Sequence, residues 1–250
     1  MTETVRAFLA IELPDEVTAA LASVTEAVGS AGVKGVRIVR PQDVHLTLKF
    51  LGNVPSSEID AIVAAGGIAS INHPNYQWAF DHDAIKQVVG ANLLEIFNGG
   101  GGVNVDGAPG RPSYEQIWDG VLSAGRAIFG VATDDSHNYK DFHPGMSNPG
   151  RGWVVVHAEE LVSEAIVEGL ASGNFYASTG VELTDLKSSS QVVSLRIEQQ
   201  SDFVYTTSFI GRDAKTYAET TGLEASYEPM GTEGYIRAVV KSSSGGKAWT

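Results

Sequence analysis

Residues 128–137, Ile128-Phe129-Gly130-Val131-Ala132-Thr133-Asp134-Asp135-Ser136-His137, begin as a β-branched and aromatic run and end in a knot of polar groups. Along a strand, side chains two apart point the same way. Carried to the end of this stretch, that period projects Asp135 and His137 together. A carboxylate and an imidazole on one face suit a divalent cation. A buried strand capped in this way reads as one wall of an α/β hydrolase site. A helix cap or a loop with a surface histidine stays open as the plainer reading, because Asp-x-His is a short pattern.

Upstream, residues 68–72 form a buried-type strand ending in His73-Pro74, and Pro74 biases His73 toward extended backbone. Residues 93–97 form the next strand, with Glu95 and Asn98 at its end. Residues 114–122 read as a helix around Trp118, leading into the opening strand. Strands separated by helices imply parallel βαβ units, whose ligands gather beyond the carboxyl ends of the strands. His73, Glu95, Asp135 and His137 all lie at or near such ends, which argues for a metal site. The run Gly99-Gly100-Gly101-Gly102 reads as a flexible loop. A phosphate cradle needs a helix directly after it, and Val103-Asn104-Val105-Asp106 does not supply one.

Downstream, residues 152–157 form a strand and residues 159–170 a helix with Leu161, Ile166 and Leu170 inward, closed by Gly173. From Val181 the period is close to two, with strands at 192–197, 203–209 and 235–240 separated by Ser, Gly and Asp turns. Residues 191–250 therefore read as antiparallel. His157 falls in or beside the sheet without a ligand role, and His82 and His143 read as loop residues.

The first 65 residues have a different register. Residues 6–13 form a strand, Val17, Leu21, Val24 and Val28 fall at helical spacing, and strands follow at 36–39 and 44–51. Pro55-Ser56-Ser57-Glu58 opens a helix carrying Ile59, Ile62 and Val63. The order is β-α-β-β-α, half of a split βαβ layer. On the strand at 44–51, His45 and Thr47 share a face. A neutral His can take a proton from a hydroxyl while Thr hydrogen-bonds a phosphate oxygen. The plain alternative is a lone His on a sheet face.

Composition narrows the field. The chain has 250 residues, 43% hydrophobic and 19% charged, which is ordinary for a globular protein. A formal net charge of −13 repels a phosphate backbone, so duplex nucleic acid is an unsuitable partner. No cysteine is present, which excludes disulfides and thiolate metal sites. No apolar run approaches the roughly 20 residues of a membrane span. Met1-Thr2-Glu3-Thr4-Val5-Arg6 carries no basic stretch before a hydrophobic one, so a soluble, cytoplasmic protein is expected.

Two family resemblances refine these expectations. Arg6-Ala7-Phe8-Leu9-Ala10-Ile11, Val39-Arg40-Pro41 and His45-Leu46-Thr47-Leu48-Lys49-Phe50-Leu51-Gly52 make residues 3–65 similar to the first half of a two-histidine phosphoesterase, the RNA 2′,3′-cyclic phosphodiesterase family. That family uses two His-x-Thr/Ser motifs as a base and acid pair. The second motif is missing, since the remaining histidines stand in His73-Pro74-Asn75, His82-Asp83-Ala84, His137-Asn138-Tyr139, His143-Pro144-Gly145 and His157-Ala158-Glu159.

Residues 66–250 resemble the C-terminal part of a PHP-superfamily metallohydrolase, nearest the CehA/McbA-like branch. Gly66-Gly67-Ile68-Ala69-Ser70-Ile71-Asn72-His73-Pro74, Leu94-Glu95-Ile96-Phe97-Asn98-Gly99 and Gly130-Val131-Ala132-Thr133-Asp134-Asp135-Ser136-His137 carry the likeness. Residues 175–180 and Tyr235-Ile236-Arg237 reinforce it. The resemblance implies a distorted β/α barrel whose metal cluster hydrolyses phosphoesters. His73, Asp135 and His137 would be metal ligands, with Glu95, Asn98 and Asp134 as supporting or substrate-side groups. The His-x-His that opens this family's barrel is absent, so the chain reads as a chimera of two incomplete parts.

The expected architecture is α/β: a βαββα half-lobe at 1–65, a partial PHP-type β/α barrel at 66–180, and an antiparallel β appendage at 181–250. An incomplete barrel exposes strand edges, which the N-terminal strands or a second copy in a homo-oligomer would pair. A catalytic metal can manage with three protein ligands and one open position. His73, Asp135 and His137 supply two imidazoles and a carboxylate, a set suited to Mn, Zn or Fe. The leading expectation is thus a metal-dependent phosphoesterase acting on a small-molecule phosphoester, its site incomplete, with Glu95 and Asp134 in catalytic support. The alternatives are metal-independent cyclic phosphodiesterase chemistry at His45 and Thr47, or an inactive, binding-only composite.

Overall fold

The computed structural model describes the backbone of residues 4–12 and 45–55 and all of residues 67–250. The chain divides into two compact units, Met1–Glu58 and Ile59–Thr250. In the first, β1 (Thr4–Glu12) and β2 (His45–Pro55) pair antiparallel, with Glu12 opposite His45 and Ala10 opposite Thr47. The helices expected from residues 17 and 55 and the strand expected at 36–39 lie outside the described residues.

The second unit opens with three parallel strands in the order β3 (Ala69–Ile71), β4 (Ala91–Asn98) and β5 (Phe129–Thr133). A short helix, α1 (His82–Gln87), links the first two, its Asp81 side chain accepting from the Ala84 amide at 2.8 Å. The link from β4 to β5 carries α2 (Tyr114–Ser123), which has the stronger sequence signals. Ser113 and Gln116 form a reciprocal capping box, satisfying two amides that a helix start leaves unpaired. Tyr114, Ile117, Trp118 and Val121 are buried at helical spacing, and the Trp118 indole donates to the Ile128 carbonyl at 2.9 Å.

After β5 the architecture changes. β6 (Trp153–Val156), α3 (Ser163–Ser172) and β7 (Phe175–Ser178) would extend a barrel if β6 lay parallel to β5. Instead β6 pairs antiparallel with β7, Trp153 opposite Ser178 and Val156 opposite Phe175. Gly173, in the left-handed region at φ 78°, ends α3 and turns the chain straight back. The remaining strands are β8 (Leu183–Ser188), β9 (Val193–Ile197), β10 (Tyr205–Gly211), β11 (Lys215–Thr221), β12 (Glu224–Tyr227), β13 (Arg237–Ser242) and β14 (Lys247–Trp249). They build a six-stranded sheet, β11-β10-β13-β14-β7-β6, and a three-stranded sheet, β12-β9-β8, both antiparallel.

The expected PHP-type β/α barrel is therefore corrected. Strands in antiparallel sheets dominate the described residues, helices are few, and no sheet closes into a barrel. The physical reason is edge pairing. β7 has its two edges taken by β6 and β14, so no edge is left for a parallel neighbour that would carry the sheet round. Apolar residues from both antiparallel sheets, among them Tyr176, Leu195, Phe209, Ala225 and Val240, form the main core. A smaller cluster of Leu93, Val131 and Phe175 sits between the parallel strands and β7.

Candidate functional site

The parallel strands bring their carboxyl ends together around Glu95, which is only 1% exposed. Between Glu95 and Phe97 the register slips, so that Glu95 stands opposite Val131 and Asn98 opposite Thr133. A bulge re-aims side chains locally. Here it lets Glu95 and Asn98, three apart, meet: the Asn98 amide donates to Glu95 Oε2 at 3.0 Å. The same oxygen accepts the His73 backbone N–H at 2.5 Å, and Oε1 accepts the Thr133 hydroxyl at 2.5 Å.

Three donors on one buried carboxyl favour its ionised form, while burial favours the neutral one. Burial is the larger effect and pushes Glu95 up to about 7, the three hydrogen bonds pulling it back and the Asp135 charge pushing it further. A carboxyl that changes protonation near neutrality, beside a second acid, can accept or release a proton at physiological pH.

Asp135 lies close by. A Cβ on Gly100 would come within 2.9 Å of Asn98 Oδ1 and 3.0 Å of Asp135 Oδ2, so both polar groups lie beside this one backbone position. Asp134 instead holds the neighbouring loop, its Oδ1 accepting the amides of Arg151 (2.6 Å) and Gly152 (2.9 Å). Arg151 in turn donates through Nη1 to the Gly99 carbonyl at 3.0 Å. Thus Asp134 and Arg151 stitch three loops into a rim around Glu95.

Two local expectations are corrected. The strand ends at Thr133, and Asp135 sits in the left-handed region at φ 47°, so the period of two does not carry through to His137. The two residues meet by a turn instead, His137 Nδ1 lying 2.6 Å from the Asp135 carbonyl and 3.8 Å from its carboxylate. His73 is likewise left-handed, at φ 35°, rather than extended. Its N–H is drawn onto Glu95 and its ring stands edge-on to Tyr76 at 5.6 Å, which outweighs the bias imposed by Pro74.

His73, Asp135 and His137 thus come to the same end of the sheet. Yet no group of three or more His, Asp or Glu side chains among the described residues is arranged to hold a metal ion. Of the remaining histidines, His82 begins α1 and packs where a Cβ on Gly120 would meet its ring at 2.9 Å, rather than in a loop. His143 takes part in a loop turn, and the His157 amide donates to the Asn174 carbonyl. His45 and Thr47 stand on β2, their side chains outside the described residues. Sequence reasoning passes over Thr133 and Arg151. Thr133 carried a readable signal, being the last strand residue before the acidic pair.

With this geometry in hand, comparison with known proteins adds one family. Residues 11–82 match the family described as LigT like Phosphoesterase, less than a third of the chain. No curated protein matches. Among solved structures, a two-domain protein from Bacteroides vulgatus, described as containing a predicted PHP-like metal-dependent phosphoesterase, aligns at TM-score 0.34 and 14% identity, over 68% of this chain and 54% of that one. The chain thus spans about half of that neighbour's length, and a likeness this loose carries neither fold nor function across. Among the described residues, no helix is long and apolar enough to cross a membrane.

Proposed function

We propose that the chain is a phosphoester hydrolase whose chemistry resides in its N-terminal segment, with 2′,3′-cyclic phosphates as substrates. The observation that carries this reading is the match of residues 11–82 to LigT-like phosphoesterases, which spans His45-Leu46-Thr47-Leu48. β2 carries positions 45 and 47 two apart, the spacing on which an imidazole and a hydroxyl can address one phosphate. His45 takes the proton of the attacking water, and Thr47 hydrogen-bonds a phosphate oxygen as charge builds on it. One imidazole cannot accept and donate in a single in-line step, so the leaving oxygen takes its proton from solvent or from another group of the chain.

A second reading places the chemistry at the Glu95 end of the parallel strands. It is favoured by one observation, the Glu95 carboxyl poised near neutrality beside Asp135. A divalent cation held by His73, Asp135 and His137 would supply an acidified water there, although no group of three His, Asp or Glu side chains among the described residues is arranged to hold one.

Hydrolysis of adenosine 2′,3′-cyclic phosphate, followed with and without EDTA, separates the readings. The proposal expects turnover that survives EDTA, falls at least a hundredfold in His45→Ala, and persists in His137→Ala. Turnover that is lost in EDTA, restored by Mn²⁺ and abolished in His137→Ala would replace it with the metal reading. No turnover under any condition would leave a composite without catalysis.

A further inference from the structure

Each antiparallel sheet of the second unit ends in two edge strands, β11 and β6 in the larger and β12 and β8 in the smaller. An edge offers unpaired N–H and C=O groups to any passing chain, and proteins guard such edges with charged side chains. Three of the four are guarded in this way. β11 carries Lys215 and Glu219, β12 carries Glu224, and β8 carries Asp185 and Lys187. β6, Trp153-Val154-Val155-Val156, has neither a charge nor a proline. Its Val154 and Val156 side chains pack against the cluster of Leu93, Val131 and Phe175, while Val155, on the opposite face, is 37% exposed.

The register with β7 fixes which backbone groups are open. The His157 N–H donates to the Asn174 carbonyl directly opposite, at 2.8 Å. Hydrogen-bonded positions alternate along an antiparallel ladder, so Val155 and Trp153 bond to Tyr176 and Ser178, their partners on β7. The far side of β7 keeps the same alternation, its next residue Thr179 donating to the Lys247 carbonyl at 2.9 Å. Val154 and Val156 therefore turn their N–H and C=O groups to the outer edge, where no strand among the described residues meets them.

That edge is complementary to itself. A twofold axis through Val155 sets Val154 of one copy opposite Val156 of the other, and the reverse. Each facing pair exchanges two N–H···O=C bonds, so all four open groups of each edge are used. Val155 then meets its own symmetry mate at a non-hydrogen-bonded position, where Cα atoms approach to about 4.5 Å and side chains touch. Val-Val-Val reads alike in both directions, so β-branched side chains stand opposite one another at all three positions and no charge faces a charge. A chain of net charge −13 can meet its own copy only along such a neutral seam.

We propose that β6 is a homodimerisation edge, two copies joining antiparallel through residues 154–156 so that their six-stranded sheets run on as one. The interface is isologous and closes on itself, which shields the edge from open-ended addition. A four-residue strand makes a short seam, so the dimer is weak, with a Kd of about 10–100 µM. It makes no use of His45, Thr47 or Glu95.

Sedimentation equilibrium of the full chain, from about 5 to 500 µM, tests the proposal. A reversible monomer–dimer equilibrium is expected, tighter at about 0.5 M than at about 0.15 M salt because the repulsion between acidic copies is screened. Val155→Lys sets two ammonium groups face to face at the axis and should weaken the dimer about tenfold or more. Amide exchange gives an answer from the unaltered chain, should that variant fail to fold. The N–H groups of Val154 and Val156 should exchange more slowly as concentration rises, whereas that of Val155, already bonded to β7, should not change. A monomer up to about 500 µM overturns the proposal and leaves the edge to an extended segment of another protein. A dimer in which those two amides exchange equally fast at every concentration, or a wild-type Kd in folded Val155→Lys, overturns it as well.

Discussion

Asp119 and Arg237 meet through two parallel hydrogen bonds of 2.8 Å, Nε to Oδ1 and Nη2 to Oδ2, joining α2 to β13 across 118 positions of sequence. The guanidinium also stacks over the Trp118 ring at 4.7 Å, and the Tyr235 hydroxyl donates to Asp119 at 2.8 Å. Breaking such a pair from one side leaves a buried charge alone. Asp119→Ala should therefore cost about 3–5 kcal/mol in urea unfolding, whereas the double change Asp119→Leu with Arg237→Met should recover most of it. A wild-type midpoint for Asp119→Ala would show the pair to be structurally idle.

Glu95 makes stability depend on pH with a defined sign. Its folded value of about 7 lies above the ordinary 4.5, so the native state holds the proton longer than the unfolded chain does. The resulting stabilisation is full below pH 4.5 and is lost as pH rises toward 7, by about 3 kcal/mol. In Glu95→Gln the amide can place its oxygen toward His73 and Asn98 and its NH2 toward Thr133, and cannot titrate. Unfolding free energies measured from pH 4 to 8 should diverge between the two proteins across that window. Parallel curves would mean that the carboxyl is not held neutral by burial.

Two glycines in the left-handed region should respond differently to alanine. At Gly173 a Cβ would overlap the Phe129 ring in addition to straining the backbone, while at Gly110 (φ 74°) it would meet nothing within 4 Å. We expect Gly173→Ala to lose about 3 kcal/mol and Gly110→Ala about 1 kcal/mol, read as shifts in thermal midpoint. Equal shifts would remove the case for close packing between α3's end and β5.

Asp134 is expected to matter to the rim rather than to proton transfer. Asp134→Ala frees the Arg151 and Gly152 amides, whose hydrogen exchange should quicken about tenfold or more, and Asp134→Asn should restore part of the protection through its remaining oxygen. Unchanged exchange at both amides would argue that the loops are held without it.

What the sequence disclosed follows from how local each signal is. The helix α2 was legible as an apolar stretch around Trp118, while the capping box of Ser113 and Gln116 that starts it went unread. β4 and β5 were legible as apolar runs, and the convergence of His73, Glu95 and Asp135 at strand ends followed from them. The barrel was misread because periodicity reports strands and not their partners: β6 alternates equally well whether its neighbour is β5 or β7. β8, β11, β12 and β14 escaped notice because each is short or has exposed positions, as in Leu183–Ser188, so no apolar face announces it. The turn that sets Asp135 at positive φ did leave a trace, since Asp-Asp-Ser favours turns over strands, and it is the loop alternative for Asp-x-His that the backbone follows. The Thr133 and His73 bonds to Glu95 span 38 and 22 positions and are fixed by the parallel register alone.

The six-stranded sheet is joined in its middle by three residues, Lys247–Trp249, with β13 on one side and β7 on the other. On the ribosome, the β6–β7 ribbon emerges well ahead of this bridge, Ser178 preceding Lys247 by 69 positions. At roughly 5–20 residues per second, translation leaves one flank of β7 unpaired for several seconds. During that interval neighbouring nascent chains on a polysome can compete for the open flank, so expression yield should depend on translation speed and chaperone supply more than on native stability.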